Sequence, residues 1–240
     1  MTTLARLTIT MVIAILLTSC NFDINFGEGV RGNGEVVEDS REITEKFTMV
    51  SASEGIDVYV SQSDEFQINI EADENVMDLI GTEIKNGKLR IHAIKSIGRA
   101  TKKVYVFLPE ITSLSSSSGA DLLAKTPIKS NKIKLNSSSG ADMQVEVIAT
   151  EVIADCSSGA DIKLSGEANV LHADASSGSD IKARNFIAKI CHADASSGAD
   201  ISVQVSESLT AEATSGADIT YSGNATVTKN KSASGSVRKY

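Results

Sequence analysis

The sequence predicts an all-β protein, a right-handed parallel β-helix (β-solenoid) of about 19 residues per coil with a strand-rich N-terminal cap. Three observations lead to this prediction: a Ser-Gly-Ala-Asp motif recurs along the chain, apolar and polar residues alternate around each copy, and tryptophan is absent while all aromatic residues make up only 4% of the chain. A fixed repeat of this length is typical of stacked coils rather than of a globular domain with a unique core.

Recurring glycines mark the corners of the predicted coils, with steps of 18 to 21 residues between them. Glycine tolerates the positive φ that a sharp corner needs, so each copy is expected to form a turn between two strands. The predicted turn glycines are Gly119, Gly140, Gly159, Gly178, Gly198 and Gly216, and Gly235 closes the chain in a degraded copy. A second turn in each coil is expected at stretches such as Ser165-Gly166-Glu167.

Alternating residues on both sides of each glycine indicate short strands with one face inward. Around Gly159, the small or apolar residues Ala154, Cys156, Ala160 and Ile162 alternate with the polar residues Asp155, Asp161 and Lys163. Strands of successive coils are expected to pair in parallel about 4.8 Å apart, with the right-handed winding usual for parallel connections. The inward positions are mostly Ala, Ser and Ile, which predicts a narrow, flat coil.

Cys156 and Cys191 both fall at inward positions two coils apart. A disulfide needs the two Cα atoms closer than about 7 Å, and two coil steps exceed that separation. The two residues are therefore predicted to be buried, unpaired, small hydrophobic side chains.

Residues 46–110 are predicted to be a strand-rich cap and residues 111–240 the regular coils, together one domain over residues 46–240. In the cap, Ser53–Val58 is interpreted as a divergent first coil. Further strands are expected at 66–72, 88–94 and 103–108, with a short helix near 76–80 and an Asn86-Gly87 turn. Such a cap would cover the end of the stack and prevent edge pairing, and the charged residues of the last coil would form a polar stop.

The first 19 residues are predicted to be a lipoprotein signal peptide. Arg6 supplies its positive charge, residues 7–17 are an apolar stretch too short to span a bilayer, and Leu17-Thr18-Ser19-Cys20 resembles the lipobox of bacterial lipoproteins. Cys20 is thus the predicted lipidation site, since two acyl chains on one residue give stable anchoring. An ordinary secretory signal with a chance cysteine is the alternative. Residues 20–45, acidic and rich in Gly and Asn, are interpreted as a tether.

The chain carries 31 acidic and 23 basic residues, a formal net charge of −8. Removal of the signal removes Arg6 and no acid, which makes the charge −9. An acidic body argues against nucleic acid as a partner and against a second, electrostatic membrane contact. The expected location is the cell envelope, with the protein lipid-anchored outside the cytoplasm and the membrane as its partner through the N-terminal lipid.

Aspartates two residues after each turn glycine should form a row up the outside of the solenoid. Neighbouring carboxylates about 4.8 Å apart repel by roughly 1 kcal/mol in water, so turn donors, nearby lysines or bound Ca²⁺ must offset the repulsion. Hydrogen bonds from turn donors are the favoured interpretation; the alternative is a cation ladder of Asp121, Asp142, Asp161, Asp180, Asp200 and Asp218. No other cofactor is expected.

A second row, four residues before each glycine, comprises Asp155, Asp174, Asp194 and Glu212. His172 and His192 are expected in one outward column of adjacent coils. A metal pair there is conceivable, but surface histidines produced by repeat duplication are the favoured interpretation, and no metal site is predicted.

The chain resembles a family of bacterial lipoproteins and secreted proteins, the putative autotransporter adhesins with a head GIN domain. The resemblance rests on Gly55-Ile56-Asp57, the following Val58-Tyr59-Val60, the stretch Glu71-Ala72-Asp73-Glu74-Asn75 and the serial Ser-Gly-Ala-Asp turns. Asp57 stands where the family motif has Asn. The resemblance implies a right-handed β-helix of pectin-lyase-like shape without catalytic residues.

The function predicted from these features is a non-catalytic adhesion or binding scaffold that offers long faces to a surface glycan or a protein ligand. The alternative is a polysaccharide-cleaving lyase or hydrolase. Catalysis needs a preorganised, singular pocket, whereas the acids here recur uniformly, so no catalytic residue is predicted.

Overall fold

The computed structural model describes residues 29–230 and 234–240, which form a parallel β-solenoid with an antiparallel cap at its N-terminal end. The predicted signal peptide and Cys20 lie outside these residues. The strands are β1 Val36–Ser40, β2 Met49–Ala52, β3 Asp57–Gln62, β4 Gln67–Asp73, β5 Ile80–Lys85, β6 Lys88–Ala93, β7 Lys102–Leu108, β8 Ser113–Ser116, β9 Asp121–Ala124, β10 Ile128–Ser138, β11 Asp142–Ser157, β12 Asp161–Ser176, β13 Asp180–Ala195, β14 Asp200–Ala213, β15 Asp218–Ser222, β16 Thr226–Lys229 and β17 Ser236–Lys239.

Long strands that follow most of a coil form the body of the solenoid. β11 pairs in parallel with β12, and β12 with β13, in the register that the aligned glycines predict. Two short strands per coil were expected, but β11, β12 and β13 are each continuous over 16 residues, because the hydrogen bonds to neighbouring coils continue around the second corner. Steps that deviate from 19 residues are absorbed as register shifts, for example between Lys163 and Ser165.

The divergent first coil is confirmed, although it is not the end of the stack. β2 and β3 pair in parallel with β8 and β9 on one side, and with β6 and β7 on the other. Strands that come later in the sequence therefore form the layer beyond the first coil. β5 and β4 then pair antiparallel with β6 and β7 and complete the cap.

The short elements expected in the cap are present. A 3₁₀ helix spans Glu74–Leu79, and β5 and β6 form a hairpin across Asn86 and Gly87, whose φ angles are 54° and 73°. Positive φ at both central residues is the signature of a two-residue hairpin turn of type I′.

The interpretation of residues 20–45 as a tether is wrong for the part that the structure describes. β1 pairs antiparallel with β4 over its whole length, and the preceding residues are bound to the cap. The buried Asp73 carboxylate accepts hydrogen bonds from the backbone N–H groups of Gly34 at 2.7 Å and Thr101 at 2.6 Å, and so fixes this segment in place. The composition of residues 20–45 resembled that of a linker because β1 is an exposed edge strand, and an exposed strand has few buried apolar residues.

The inward columns are fully buried and pack into one continuous core along the axis. Ile162 and Ile181 are each 0% exposed and directly opposite one another in β12 and β13. Cys156 and Cys191 are free and buried, as predicted. Burial raises the pKa of the Cys156 thiol to about 11 and that of Cys191 to about 12, so both thiols stay protonated at neutral pH.

The repeated corners use two residues with positive φ rather than one. The six predicted turn glycines have φ between 68° and 79°, and the serine before each has φ between 51° and 55°. Gly235 of the degraded copy does not share this conformation. Within residues 29–230 and 234–240, no helix is long and apolar enough to cross a membrane.

Candidate binding face

The aspartates after the turns lie in one column, as the repeat predicts. In the strand register Asp121 is opposite Asp142, and the column continues through Asp161 and Asp180 to Asp200 and Asp218. Because the strands are hydrogen-bonded neighbours about 4.8 Å apart, each aspartate within the column has another on the strand above and on the strand below.

Asp57 extends this column and was missed in the sequence. It lies opposite Asp121 in the register of β3 and β9. The signal was present, because Asp57 follows Gly55 by two residues, as each later aspartate follows its glycine. The Ser-Gly-Ala-Asp motif is degraded there to Glu-Gly-Ile-Asp, and the residue before the glycine, Glu54, still has a positive φ of 62°. We call the seven aspartates from Asp57 to Asp218 the acidic ladder.

A second outward column runs beside the ladder, two residues further along each strand. It combines stacked aromatic rings at the cap end with polar and cationic side chains in the later coils. Its members are Tyr105, Tyr59, Leu123, Gln144, Lys163, Lys182, Ser202, Thr220 and Arg238. Together with the acidic ladder it forms what we call the binding face.

Two depressions lie end to end on the binding face. One, of about 280 Å³, is lined by Asp57, Tyr59 and Asp142 among others, and the other, of about 610 Å³, by Arg184 and Arg238 among others. Gln144 and Lys163 line both depressions, so the two form one groove along the axis. The groove crosses coils from β3 to β17, which favours an elongated ligand over a compact one.

In the C-terminal half of the acidic ladder, lysine and arginine side chains offset the repulsion between neighbouring carboxylates. Lys182 Nζ lies 2.7 Å from Asp161 Oδ2 and 3.1 Å from Asp180 Oδ2, so it bridges two rungs. The hydrogen bond to Asp161 is the main reason that the pKa of Lys182 is raised. In the last coil, Arg238 lies 3.5 Å from the Asp218 carboxylate.

The favoured interpretation, in which turn donors satisfy the ladder, is therefore wrong over most of its length. Asp200 does gain a backbone hydrogen bond from Asp218. Elsewhere on the described ladder, the carboxylates that have partners are paired with cationic side chains.

The N-terminal half of the ladder lacks such compensation. Partial burial, and then the neighbouring Asp57 and Asp142 carboxylates, raise the pKa of Asp121 above its usual range. In the C-terminal half, Asp200 is an exception to the pairing with cations, and partial burial, followed by the Asp180 and Asp218 carboxylates, raises its pKa as well. Among the described residues, no group of three or more His, Cys, Asp or Glu is arranged to hold a metal ion. The cation ladder remains a prediction.

Asp121→Asn is expected to stabilise the protein at pH 7 by up to about 1 kcal/mol, and less at high salt. A raised pKa in the folded state means that stability is fully present below the unfolded pKa and is lost as the pH rises through the folded value. The contribution of Asp121 to wild-type stability should therefore rise as the pH falls through the raised folded pKa towards the unfolded value of about 4, and the advantage of Asp121→Asn should shrink in parallel. Thermal melts across this pH range measure both effects.

Glu207→Gln, which removes an exposed carboxylate away from the ladder, is the matched control and should leave the midpoint nearly unchanged. An unfolding midpoint below that of the wild type for Asp121→Asn at pH 7 would contradict the repulsion between Asp121 and its neighbouring carboxylates. Melts in Ca²⁺ against Na⁺ at fixed ionic strength test the ladder as a cation site. A calcium-specific rise that is lost in Asp121→Asn would establish such a site.

The second acidic row and the two histidines lie where the sequence places them. Asp155, Asp174 and Asp194 are opposite one another, followed by Glu212, on the strand segments before the turns. Partial burial, and then the adjacent carboxylates, raise the pKa values of Asp174 and Asp194. The imidazole rings of His172 and His192 stack with centroids 5.0 Å apart, which is a contact between surface side chains of adjacent coils.

The aromatic end of the binding face is rigidly held. Tyr59 and Tyr105 stack with centroids 5.1 Å apart, and Lys125 Nζ lies 4.6 Å from the centre of the Tyr59 ring. The Glu71 carboxylate accepts hydrogen bonds from Lys103 and from the Tyr105 hydroxyl, both at 2.8 Å. The bond from Lys103, followed by that from Tyr105, lowers the pKa of Glu71. The sequence does not reveal this cluster, because Tyr59, Glu71 and Tyr105 are far apart in the chain and share no motif.

Comparison with protein families gives one match that covers most of the chain. The family described as "Putative auto-transporter adhesin, head GIN domain" matches residues 46–225. No curated protein is recognisably similar to the chain.

Solved structures of similar fold include proteins from Bacteroides and Parabacteroides. A putative adhesin from Bacteroides fragilis has a TM-score of 0.81 at 18% identity, over 88% of this chain and 100% of that one. A putative lipid binding protein from Parabacteroides distasonis has 0.72 at 20% identity, over 88% and 99%. A putative adhesin from Parabacteroides merdae has 0.70 at 19% identity, over 88% and 98%. At these identities the likeness establishes the solenoid fold.

Proposed function

We propose that this chain, which belongs to the family of putative auto-transporter adhesins with a head GIN domain, is a non-catalytic binding scaffold of the cell envelope. It would be anchored by lipid on Cys20 outside the cytoplasm and would hold an extended ligand, a surface glycan or a protein segment, along the binding face. The family description supports a location in the envelope, and the sequence around Cys20 supports the anchor.

The observation that carries this proposal is the continuous groove along the binding face. Its lining combines the acidic ladder with aromatic, amide, hydroxyl and cationic side chains, and an aspartate recurs at the same register position in successive coils from Asp57 to Asp218. An extended polymer can contact successive coils in the same way, so many weak contacts add along its length. A single reactive centre would instead require one coil to differ from its neighbours in its acid and base groups.

The test is binding of immobilised glycans and of envelope proteins by the purified chain, with a reducing-sugar assay on every ligand that binds. The double variant Gln144→Ala/Lys163→Ala, in the stretch common to both depressions, is expected to weaken binding about tenfold or more, because each lost polar contact costs roughly 1 kcal/mol. His172→Ala, on the strand segment before the turn, is the control and should bind normally.

Release of reducing ends that disappears in Asp180→Asn would show a polysaccharide-cleaving enzyme and would contradict the non-catalytic proposal. Binding that is unaffected by the Gln144→Ala/Lys163→Ala variant would contradict the assignment of the ligand to this face. Cys20→Ser should abolish metabolic lipid labelling while leaving ligand binding intact, and retained label in that variant would contradict the anchor.

A further inference from the structure

We propose that the cap end of the solenoid docks on the lipid surface, so that the later coils project away from the membrane. The docking surface is the cap-end patch, which consists of Val30, Arg31, Ile94, Lys95 and Arg99. Its partner is an anionic lipid surface, with the cations at the headgroups and the apolar side chains at the acyl boundary. This inference rests on the proposed anchor at Cys20.

The N-terminal segment enters the folded body at the cap end. The Val30 N–H donates to the Ser96 carbonyl at 2.9 Å, and the Gly98 N–H donates to the Val30 carbonyl at 3.0 Å. The Gly32 N–H donates to the Arg99 carbonyl at 3.0 Å. These residues belong to the loop 94–101 between β6 and β7, the layer beyond the first coil. A side chain at Gly29 would collide with the backbone of this loop, so the contact is close.

The length of chain before this contact places the patch near the bilayer. Nine residues lead from Cys20 to Gly29, and even fully extended they reach only about 30 Å. The opposite end is far away, because eight strand steps from β7 to β17 amount to about 38 Å along the axis. Of the two ends of the solenoid, the cap end is therefore the one that the anchor keeps within reach of the lipid.

The patch exposes apolar surface where the chain leaves the body. Ile94 is 59% exposed and Val30 is 40% exposed, and they lie on the two segments that the hydrogen bonds join. Val36 and Val37, on the outermost strand β1, are 48% and 38% exposed. Exposed apolar side chains beside a membrane anchor are suited to the boundary between headgroups and acyl chains.

The charge of the patch is opposite to that of the whole protein. Residues 29–32 and 94–101 contain Arg31, Lys95 and Arg99, all exposed, and no acid, although the chain has a net charge of −8. Acids border these segments: Glu28 precedes Gly29 in the chain, Glu35 follows on the N-terminal side, and the Glu54 carboxylate accepts a hydrogen bond from the Ala93 N–H at 2.7 Å. Asp73 is buried, and its carboxylate accepts two backbone hydrogen bonds. Within these two segments the charge is positive, so the overall acidity that argued against a second membrane contact does not describe the patch itself.

The electrostatic part of the docking has a predictable size. Each lysine or arginine adjacent to an anionic lipid surface strengthens association by roughly fivefold. Neutralising two of the three cations should therefore shift the ratio of docked to undocked molecules by about 25-fold. This contribution should also disappear in 1 M salt, because screening then acts within about 3 Å.

The experiment places a fluorophore at Ile94→Cys in the acylated full chain, reconstituted into vesicles with and without anionic lipid. Cys156 and Cys191 are buried, so labelling is specific to the introduced thiol. On anionic vesicles, nitroxide-labelled lipids should quench the label at position 94 but leave a label at Lys239→Cys, in the last coil, unquenched. The Lys95→Gln/Arg99→Gln variant should lose most of the quenching at position 94, while the control Lys163→Gln should keep it.

The outcomes separate this inference from the anchor on which it rests. A chain that does not float with the vesicles at all contradicts both. A chain that floats, but whose label at position 94 is no more quenched than the label at position 239, overturns the docking and leaves the anchor intact. Equal quenching in Lys95→Gln/Arg99→Gln and in the unmodified patch overturns the role of the anionic lipid.

Discussion

Ile162→Asp is expected to destabilise the solenoid by several kcal/mol, enough to unfold the regular coils at ambient temperature. Ile162 is 0% exposed in β12, between Met143 of the coil before and Ile181 of the coil after. The substitution removes the buried apolar side chain and places a carboxyl among inward columns that offer it no partner. Ile181→Asp should have the same effect, because it occupies the same column one coil later.

The matched control is Asn169→Asp, which adds the same negative charge at an exposed position of the same strand. It should change the unfolding free energy by no more than about 0.5 kcal/mol. Thermal or urea unfolding followed by circular dichroism measures all three variants. Wild-type midpoints for both isoleucine variants would show that this column does not face the core.

Gly166→Ala is expected to cost at least about 3 kcal/mol, although Gly166 is not one of the repeated turn glycines. Its φ is 106°, and a Cβ at this position would collide with the carbonyl oxygen of Val147 in the preceding coil. That oxygen belongs to the backbone of a hydrogen-bonded strand, so it cannot move without breaking the pairing of β11 with β12. The free-energy cost of the positive φ and the cost of the collision with Val147 therefore add.

Gly159→Ala is the control, because Gly159 is a repeated turn glycine with a positive φ of 69° and no neighbouring atom within 4 Å of the position that an alanine methyl group would take. Only the left-handed backbone conformation is then unfavourable, at a cost of about 1 to 2 kcal/mol. Calorimetric melts of the two variants give the comparison. A smaller loss for Gly166→Ala than for Gly159→Ala would contradict the assignment of the close approach to the second corner.

The repeat made the coils and the acidic ladder predictable, because in a parallel stack a fixed step in sequence is a fixed register in space. Once the glycines are aligned, Asp142 must lie opposite Asp161, and Ile162 opposite Ile181. The same reasoning placed Cys156 and Cys191 in the core and His172 beside His192. Each of these features depends on one coil and its neighbour, so local sequence is sufficient.

The partners of the ladder could not be predicted in the same way. Lys182 pairs with Asp161 and Asp180 because its side chain lies between the two rungs, whereas Lys163, at the equivalent position one coil earlier, makes no ion pair among the described residues. Identical positions in the alignment thus have different contacts. The rotamer of each long side chain depends on the charges around it, which no single repeat specifies.

By itself the sequence determined the solenoid, its period, its inward columns and the row of aspartates, because these follow from short-range alternation and from the stacking of equivalent coils. Only the tertiary structure decided that β6 and β7 stack outside the first coil, that β1 and residues 29–35 belong to the cap, and that Gly166 meets the backbone of Val147. Those features come from contacts between segments without a common motif. Their energy depends on shape and hydrogen bonding across space, and no pattern along the chain records it.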